Sequence, residues 1–124
     1  MAEYTEQLRV SKVASGNLDG SQYTFVRQIG NRDVLTIATT GVPMLGVLQN
    51  KPQNNEHATV AMLGSTKIRL ANSLGVPSWV MAGVSGFAVL AVSGQVVAGQ
   101  LITGATSGAL AEMNFSPFLS ATSL

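Results

Sequence analysis

Hydrophobic and polar residues alternate with a period of two along several short stretches of this chain. The clearest stretch is TKIRLA, residues 66–71, in which Lys67 and Arg69 fall on one side and Ile68 and Leu70 on the other. This alternation is typical of a half-buried β-strand. The composition predicts further strands over residues 23–29, 34–39, 44–50 and 58–63.

Turn signals separate these stretches at short intervals, as in Asp19-Gly20, Gly64-Ser65 and Ser93-Gly94. The best helical candidate, residues 109–114, is short. The sequence therefore predicts an all-β (mainly β) fold, a small β-barrel or β-sandwich-like domain with an extended N-terminal arm and at most one short helix. The predicted boundaries are residues 1–20 for the N-terminal arm or first strand, 21–113 for the β domain and 114–124 for a C-terminal tail.

The stretch WVMAGVSGFAVLAVSGQVVAGQLI, residues 79–102, contains no charged residue. It is longer than the roughly 20 apolar residues that span a bilayer. However, Ser-Gly pairs interrupt it, Gln95 and Gln100 would be costly in lipid, and no cluster of positive charge flanks it. Short strands that are buried on both faces are the favoured interpretation, because such strands read as continuous apolar runs.

Composition narrows the class of protein. The chain has 124 residues, the size of one domain, and only 10% of them are charged, against about 25% in typical globular proteins. A chain with so few charges is expected to hide much of its exterior against other subunits. A net charge of +1 with no basic run argues against nucleic-acid binding. Because the chain has no cysteine, it has neither disulfides nor thiolate metal ligands.

Candidate chemistry is sparse. His57 is the only histidine, and no nucleophile-elbow or phosphate-loop motif accompanies it. We therefore expect no enzyme activity, no catalytic residues, no metal site and no cofactor. Trp79 is expected to be a core or interface aromatic, with stacking against a ligand as the alternative.

The segment from Met44 to Ser73 resembles the small bacteriophage capsid decoration (cement) proteins, a family often described only as a domain of unknown function. The motif GVLQNKP, residues 46–52, matches that family without a gap, and Gly64, Thr66 and Lys67 match its next part. Residues 22–39 are similar to the family's first hairpin and residues 94–113 to its closing strands, so the likeness spans about residues 7–115. Residues 70–92 depart from the pattern, because they are more apolar and include Trp79.

This resemblance implies a structural virion protein that binds the outer surface of the major capsid protein and stabilises the head. The implied partners are the major capsid protein and further copies of the chain, as a homotrimer, with no nucleic acid and no membrane. The implied location is the outer capsid surface of the virion, after synthesis in the host cytoplasm. Candidate capsid or subunit contacts are Tyr4, Leu8, Val10, Gln49, Asn50, Lys51, Pro52, Trp79, Phe115 and Phe118.

Two parts of this set have their own physical interpretation. Residues 4–10 are expected to reach onto the capsid or an adjacent copy, because Tyr4, Leu8 and Val10 lie ahead of the first clear turn. Gln49 and Asn50 can instead bond the backbone of their own turn, and Pro52 ends the strand because it has no N–H to donate. The alternative functions are a small membrane-inserted phage or bacterial protein, or a β-barrel ligand-binding module with an apolar pocket near Trp79.

Overall fold

The computed structural model describes residues 7–36, 44–76, 78–92 and 94–119, with the side chains of residues 118 and 119 left out. These residues form nine strands, and a short 3₁₀ turn, Val84–Gly86, precedes the seventh. The strands are β1 Gln7–Ala14, β2 Phe25–Ile29, β3 Asp33–Thr36, β4 Gly46–Leu48, β5 His57–Arg69, β6 Trp79–Ala82, β7 Ala88–Leu90, β8 Val96–Thr103 and β9 Leu110–Leu119. The all-β class predicted from the sequence is confirmed.

All nine strands belong to one sheet with the order β1-β3-β2-β4-β5-β9-β8-β6-β7. A further pairing joins β1 to β5, so that β1, β3, β2, β4 and the first half of β5 form a closed circuit of paired strands. We call this circuit the five-strand ring. The second half of β5 with β9, β8, β6 and β7 is called the C-terminal sheet. The predicted barrel or sandwich shape stays a prediction.

The strand β5 belongs to both parts because it bends without breaking. The backbone N–H of Gln49 donates to Thr59 O at 2.8 Å, and its side-chain Nε2 donates to Thr66 Oγ1 at 2.8 Å. A straight strand would carry Thr66 about 23 Å beyond Thr59, farther than a glutamine side chain reaches. The bend falls near Gly64, whose φ is +104°. The turn predicted at Gly64-Ser65 is therefore wrong, because Gly64 is paired on both edges, with Gln7 and Phe115.

Two buried clusters explain why neighbouring residues on one strand are both apolar. On β2, Phe25 joins the largest cluster while Val26 points into the ring interior. On β4, Val47 and Leu48 divide in the same way. The largest cluster therefore lies between the ring and the C-terminal sheet, and packs the two against each other.

The uncharged stretch of residues 79–102 forms β6, the 3₁₀ turn, β7 and most of β8. On β6, Val80 and Ala82 face the largest cluster, whereas Met81 packs with Ala91 and Val97 on the opposite face. The interpretation as strands is confirmed, but burial on both faces holds only in part, because β6, β7 and β8 each include an exposed large apolar residue. In the part of the chain that the structure describes, no helix has the length and apolarity needed to cross a membrane.

The best helical candidate, residues 109–114, does not form a helix, since residue 109 precedes β9 and residues 110–114 begin it. Their burial alternates, with Ala111, Met113 and Phe115 inside and Leu110 and Asn114 exposed. This period of two places three apolar side chains in the core, and that burial outweighs the local preference of Ala, Leu, Glu and Met for helix.

Candidate interaction surface

Charge is distributed very unevenly between the two parts of the molecule. All seven Lys and Arg residues lie between Arg9 and Arg69, and Glu112 is the single charged residue after position 69. The C-terminal sheet therefore has almost no charge outside β5. The sequence shows this asymmetry directly, although the overall shortage of charge alone does not locate it.

Exposed apolar side chains follow the same division. Among the described residues, seven of the nine large hydrophobic side chains that are exposed come after position 69. They are Val76, Trp79, Val84, Leu90, Val92, Ile102 and Leu110. An exterior that has little charge and several exposed apolar side chains is typical of a surface that docks against another protein.

The register of the C-terminal sheet places a row of side chains across one face. Ser65 is paired with Asn114, Asn114 with Gln100, and Gln100 with Trp79. Residues directly opposite each other in antiparallel strands share a face. Trp79 is 39% exposed. In the described part of the chain, the side-chain amides of Gln100 and Asn114 have no hydrogen-bond partner. The row therefore offers donors and acceptors to a partner without a net charge.

A polar cavity of about 230 Å³ lies at the β5 end of this face. Its walls come from both parts of the molecule: Gln7 and Arg9 on β1, Thr66 and Lys67 on β5, Glu112 on β9, and Tyr23 and Gln49 on loops. Lys67 is paired with Glu112 across the sheet, so the cavity adjoins the row of Ser65 and Asn114.

Tyr23 holds one wall of this cavity in an unusual conformation. Its φ is +63°, which is rare for a bulky residue. Its N–H donates to Leu48 O at 2.7 Å and its carbonyl accepts from Arg69 N at 2.9 Å, so both backbone groups are fixed. The Tyr23 ring lies 5.8 Å from Lys67 Nζ, within reach of a cation–π interaction. This tyrosine therefore links the ring to the C-terminal sheet and positions the Lys67 ammonium.

The GVLQNKP motif mainly builds the turn after β4. The Asn50 side chain donates to His57 O at 2.8 Å and accepts from Thr59 N at 3.1 Å. The Gln49 side chain donates to Val47 O at 3.0 Å as well as to Thr66. Pro52 is buried, and Lys51 is exposed. The hydrogen bonds of Gln49 and Asn50 thus lie within the chain, as the turn interpretation expects, and the contact role of these four residues stays a prediction.

The three candidate contact residues near the N-terminus differ in how much surface they expose. Tyr4 lies outside the described residues. Leu8 is 58% exposed and is paired with Leu63, also exposed, beside a shallow depression of about 310 Å³. Val10 is half-buried against the ring interior. Of these residues, Leu8 has the most surface to offer a partner.

Phe115 does not reach the surface, which corrects its assignment as a contact residue. Its side chain is 0% exposed and packs against Phe25, with ring centroids 6.1 Å apart. The alternation of Ala111, Met113 and Phe115 along β9 is the sequence signal that indicates this burial. For Phe118, only the backbone pairing with Val97 is described.

His57 begins β5 and is exposed. Both of its ring nitrogens lie within 2.9 Å of Ser11 Oγ. Among the residues that the structure describes, no carboxylate lies within hydrogen-bond distance of either nitrogen, so no acid is placed to orient this imidazole as a catalytic base. Within the described residues, no group of three or more His, Cys, Asp or Glu side chains could hold a metal ion.

No family model matches the sequence, and no curated protein matches it. Among solved structures, the chain is similar to one titled "The crystal structure of head fiber gp8.5 N base in bacteriophage phi29". The TM-score is 0.72 over 96% of this chain and 98% of that chain, with 17% sequence identity. At this identity the likeness shows the fold, and it extends over nearly the whole of both chains.

Proposed function

We propose that this chain is a structural protein of a bacteriophage head, and that it decorates the outer surface of the capsid by binding the major capsid protein. The observation that carries the proposal is the likeness to the phi29 head fiber base, which covers nearly the full length of both chains. The GVLQNKP motif and its resemblance to capsid decoration proteins support the same class independently.

The charge asymmetry supports docking through the C-terminal sheet. A surface that must be dehydrated on binding cannot hold many unpaired ions, because each loses its hydration. The exterior beyond Arg69 has one charged residue and several exposed apolar side chains. In contrast, the charged exterior of the five-strand ring is suited to remain in water.

The proposed mechanism is mechanical. Copies associate as a homotrimer, each copy contacts neighbouring capsid subunits, and the cross-linked shell resists the pressure of the packaged genome. A trimer that engages several subunits multiplies weak individual contacts by roughly 10²–10⁴. The chain therefore needs no single tight contact with the capsid.

Co-sedimentation tests this proposal. The purified chain is mixed with expanded heads assembled from the major capsid protein of the same phage, and occupancy is measured from the pelleted fraction. We expect saturable binding and heads that withstand higher temperature when decorated. Absence of pelleting at micromolar concentrations of the chain would overturn the proposal. Light scattering of the free chain measures the trimer separately.

A further inference from the structure

The cavity at the bend of β5 brings together charged groups from three strands. Arg9 comes from β1, Lys67 from β5 and Glu112 from β9. Among the described residues, the one ion pair with a nitrogen–oxygen distance within 4.0 Å is Arg32–Asp33, and neither of these residues lines the cavity. Neither cation of the cavity therefore has a carboxylate of the described residues within that distance, and the described side chains that line the cavity have a net charge of +1.

Contacts with neighbouring side chains hold both cations in position. Arg9 Nε donates to Gln7 Oε1, which leaves the terminal nitrogens of the guanidinium for another acceptor. Lys67 Nζ lies over the Tyr23 ring. A guanidinium edge beside an ammonium is suited to a carboxylate, which accepts two parallel hydrogen bonds from arginine.

Charge and size select the occupant. One carboxylate brings the cavity to neutrality, whereas a doubly charged phosphate would place excess negative charge beside Glu112. The volume of about 230 Å³ is below that of typical small-molecule sites, roughly 300–1,000 Å³. A single carboxylate-bearing side chain meets both limits.

We propose that this cavity receives a single Asp or Glu side chain of the partner protein that docks on the C-terminal sheet. This inference rests on the proposed function, and continuity favours it, because Lys67 and Glu112 adjoin the row of Asn114 and Gln100 on the same face. In an otherwise uncharged interface, one such contact fixes the register of docking more than it adds affinity.

A titration tests the cavity without any capsid. Nitrogen-15 NMR spectra of the whole chain are recorded with N-acetyl-glutamate amide and, as the matched control, N-acetyl-glutamine amide. We expect the acidic probe alone to shift the signals of Lys67, Glu112 and Arg9 Nε, with saturation at about millimolar concentration. Equal shifts with both probes, or no shift with the acidic one, would overturn the inference.

Two substitutions should change the affinity for the acidic probe in opposite directions. Glu112→Gln removes the repulsion and should tighten binding of the acidic probe several-fold, whereas Lys67→Met should abolish it. Because Lys67 is exposed, its substitution is expected to leave the fold intact, which circular dichroism checks. Unchanged affinity in both variants would contradict the proposed site.

Binding to heads then connects the cavity to docking. Lys67→Glu should weaken binding at least tenfold, while Arg27→Glu, the same charge change at an exposed cation on β2 of the ring, should not. If the unaltered chain fails to bind heads, the proposed function fails and the probe titration still decides the cavity. If the unaltered chain and Lys67→Glu bind heads equally, the inference fails alone.

Discussion

The five-strand ring and the C-terminal sheet are built from the same kind of strand but present different exteriors to solvent. The ring has its own buried cluster, yet its surface includes Arg9, Arg27 and Lys51. The C-terminal sheet also has a buried face, but its exterior has Glu112 as its one charge beyond β5. A core thus forms under either exterior, so folding does not account for the lack of charge. The proposed docking against another protein accounts for it, and this difference between the two exteriors is the main guide to the proposed function.

The largest loss of stability is expected from a substitution at the contact between the two parts. Phe25 from the ring and Phe115 from the C-terminal sheet pack together, and both are fully buried. We expect Phe115→Ala to lower the free energy of unfolding by about 3–5 kcal/mol, through lost burial and the cavity left behind. Chemical denaturation followed by Trp79 fluorescence and by circular dichroism measures the loss.

Leu110→Ala is the matched control for this substitution, because Leu110 lies on the same strand and is 40% exposed. Its cost should stay below about 1 kcal/mol. If the unaltered chain itself unfolded in two separated transitions, the ring and the C-terminal sheet would be independent units, and the shared cluster would not join them.

A smaller effect is expected at Gly86, in the 3₁₀ turn that packs on β2. Its φ is +79°, and an added Cβ would lie 2.4 Å from Phe25 O. Gly86→Ala should therefore cost about 3 kcal/mol, from left-handed strain and from displacement of the β2 backbone. Gly108 has nearly the same φ, +78°, but open space around it, so Gly108→Ala should cost only about 1 kcal/mol. Equal costs in thermal denaturation would show that the turn does not press on the ring.

Local pattern predicted the elements better than it predicted their partners. The alternation around Ile68 and the division of residues 79–102 into short strands follow from the local pattern alone. By contrast, the parallel pairing of β1 with β3 and the closure of β1 on β5 depend on contacts distant in sequence. At Gly64 the local signal for a turn was overruled by partners on both edges of β5.

The candidate site was less predictable for the same reason. The cavity draws Arg9, Tyr23, Gln49, Lys67 and Glu112 from separate segments, and no motif unites them. Gln49 was identified from GVLQNKP, but its contact with Thr66 depends on the bend of β5. The uneven distribution of charge was readable from the sequence, and it is the signal that points to the proposed docking surface.

Substitutions that hardly change stability should distinguish most clearly which of the two exteriors binds heads. Ile102 on β8, two residues after Gln100, and Leu63 on β5 are similarly exposed, one on the C-terminal sheet and one on the ring. A lysine at either position remains in water in the free chain, so each substitution should change stability by less than about 0.5 kcal/mol. In the docked state Ile102→Lys buries an unpaired charge and should weaken binding to heads by roughly 30-fold, about 2 kcal/mol. Leu63→Lys should bind as the unaltered chain does, whereas the reverse result, measured by the same co-sedimentation, would place the docking surface on the ring.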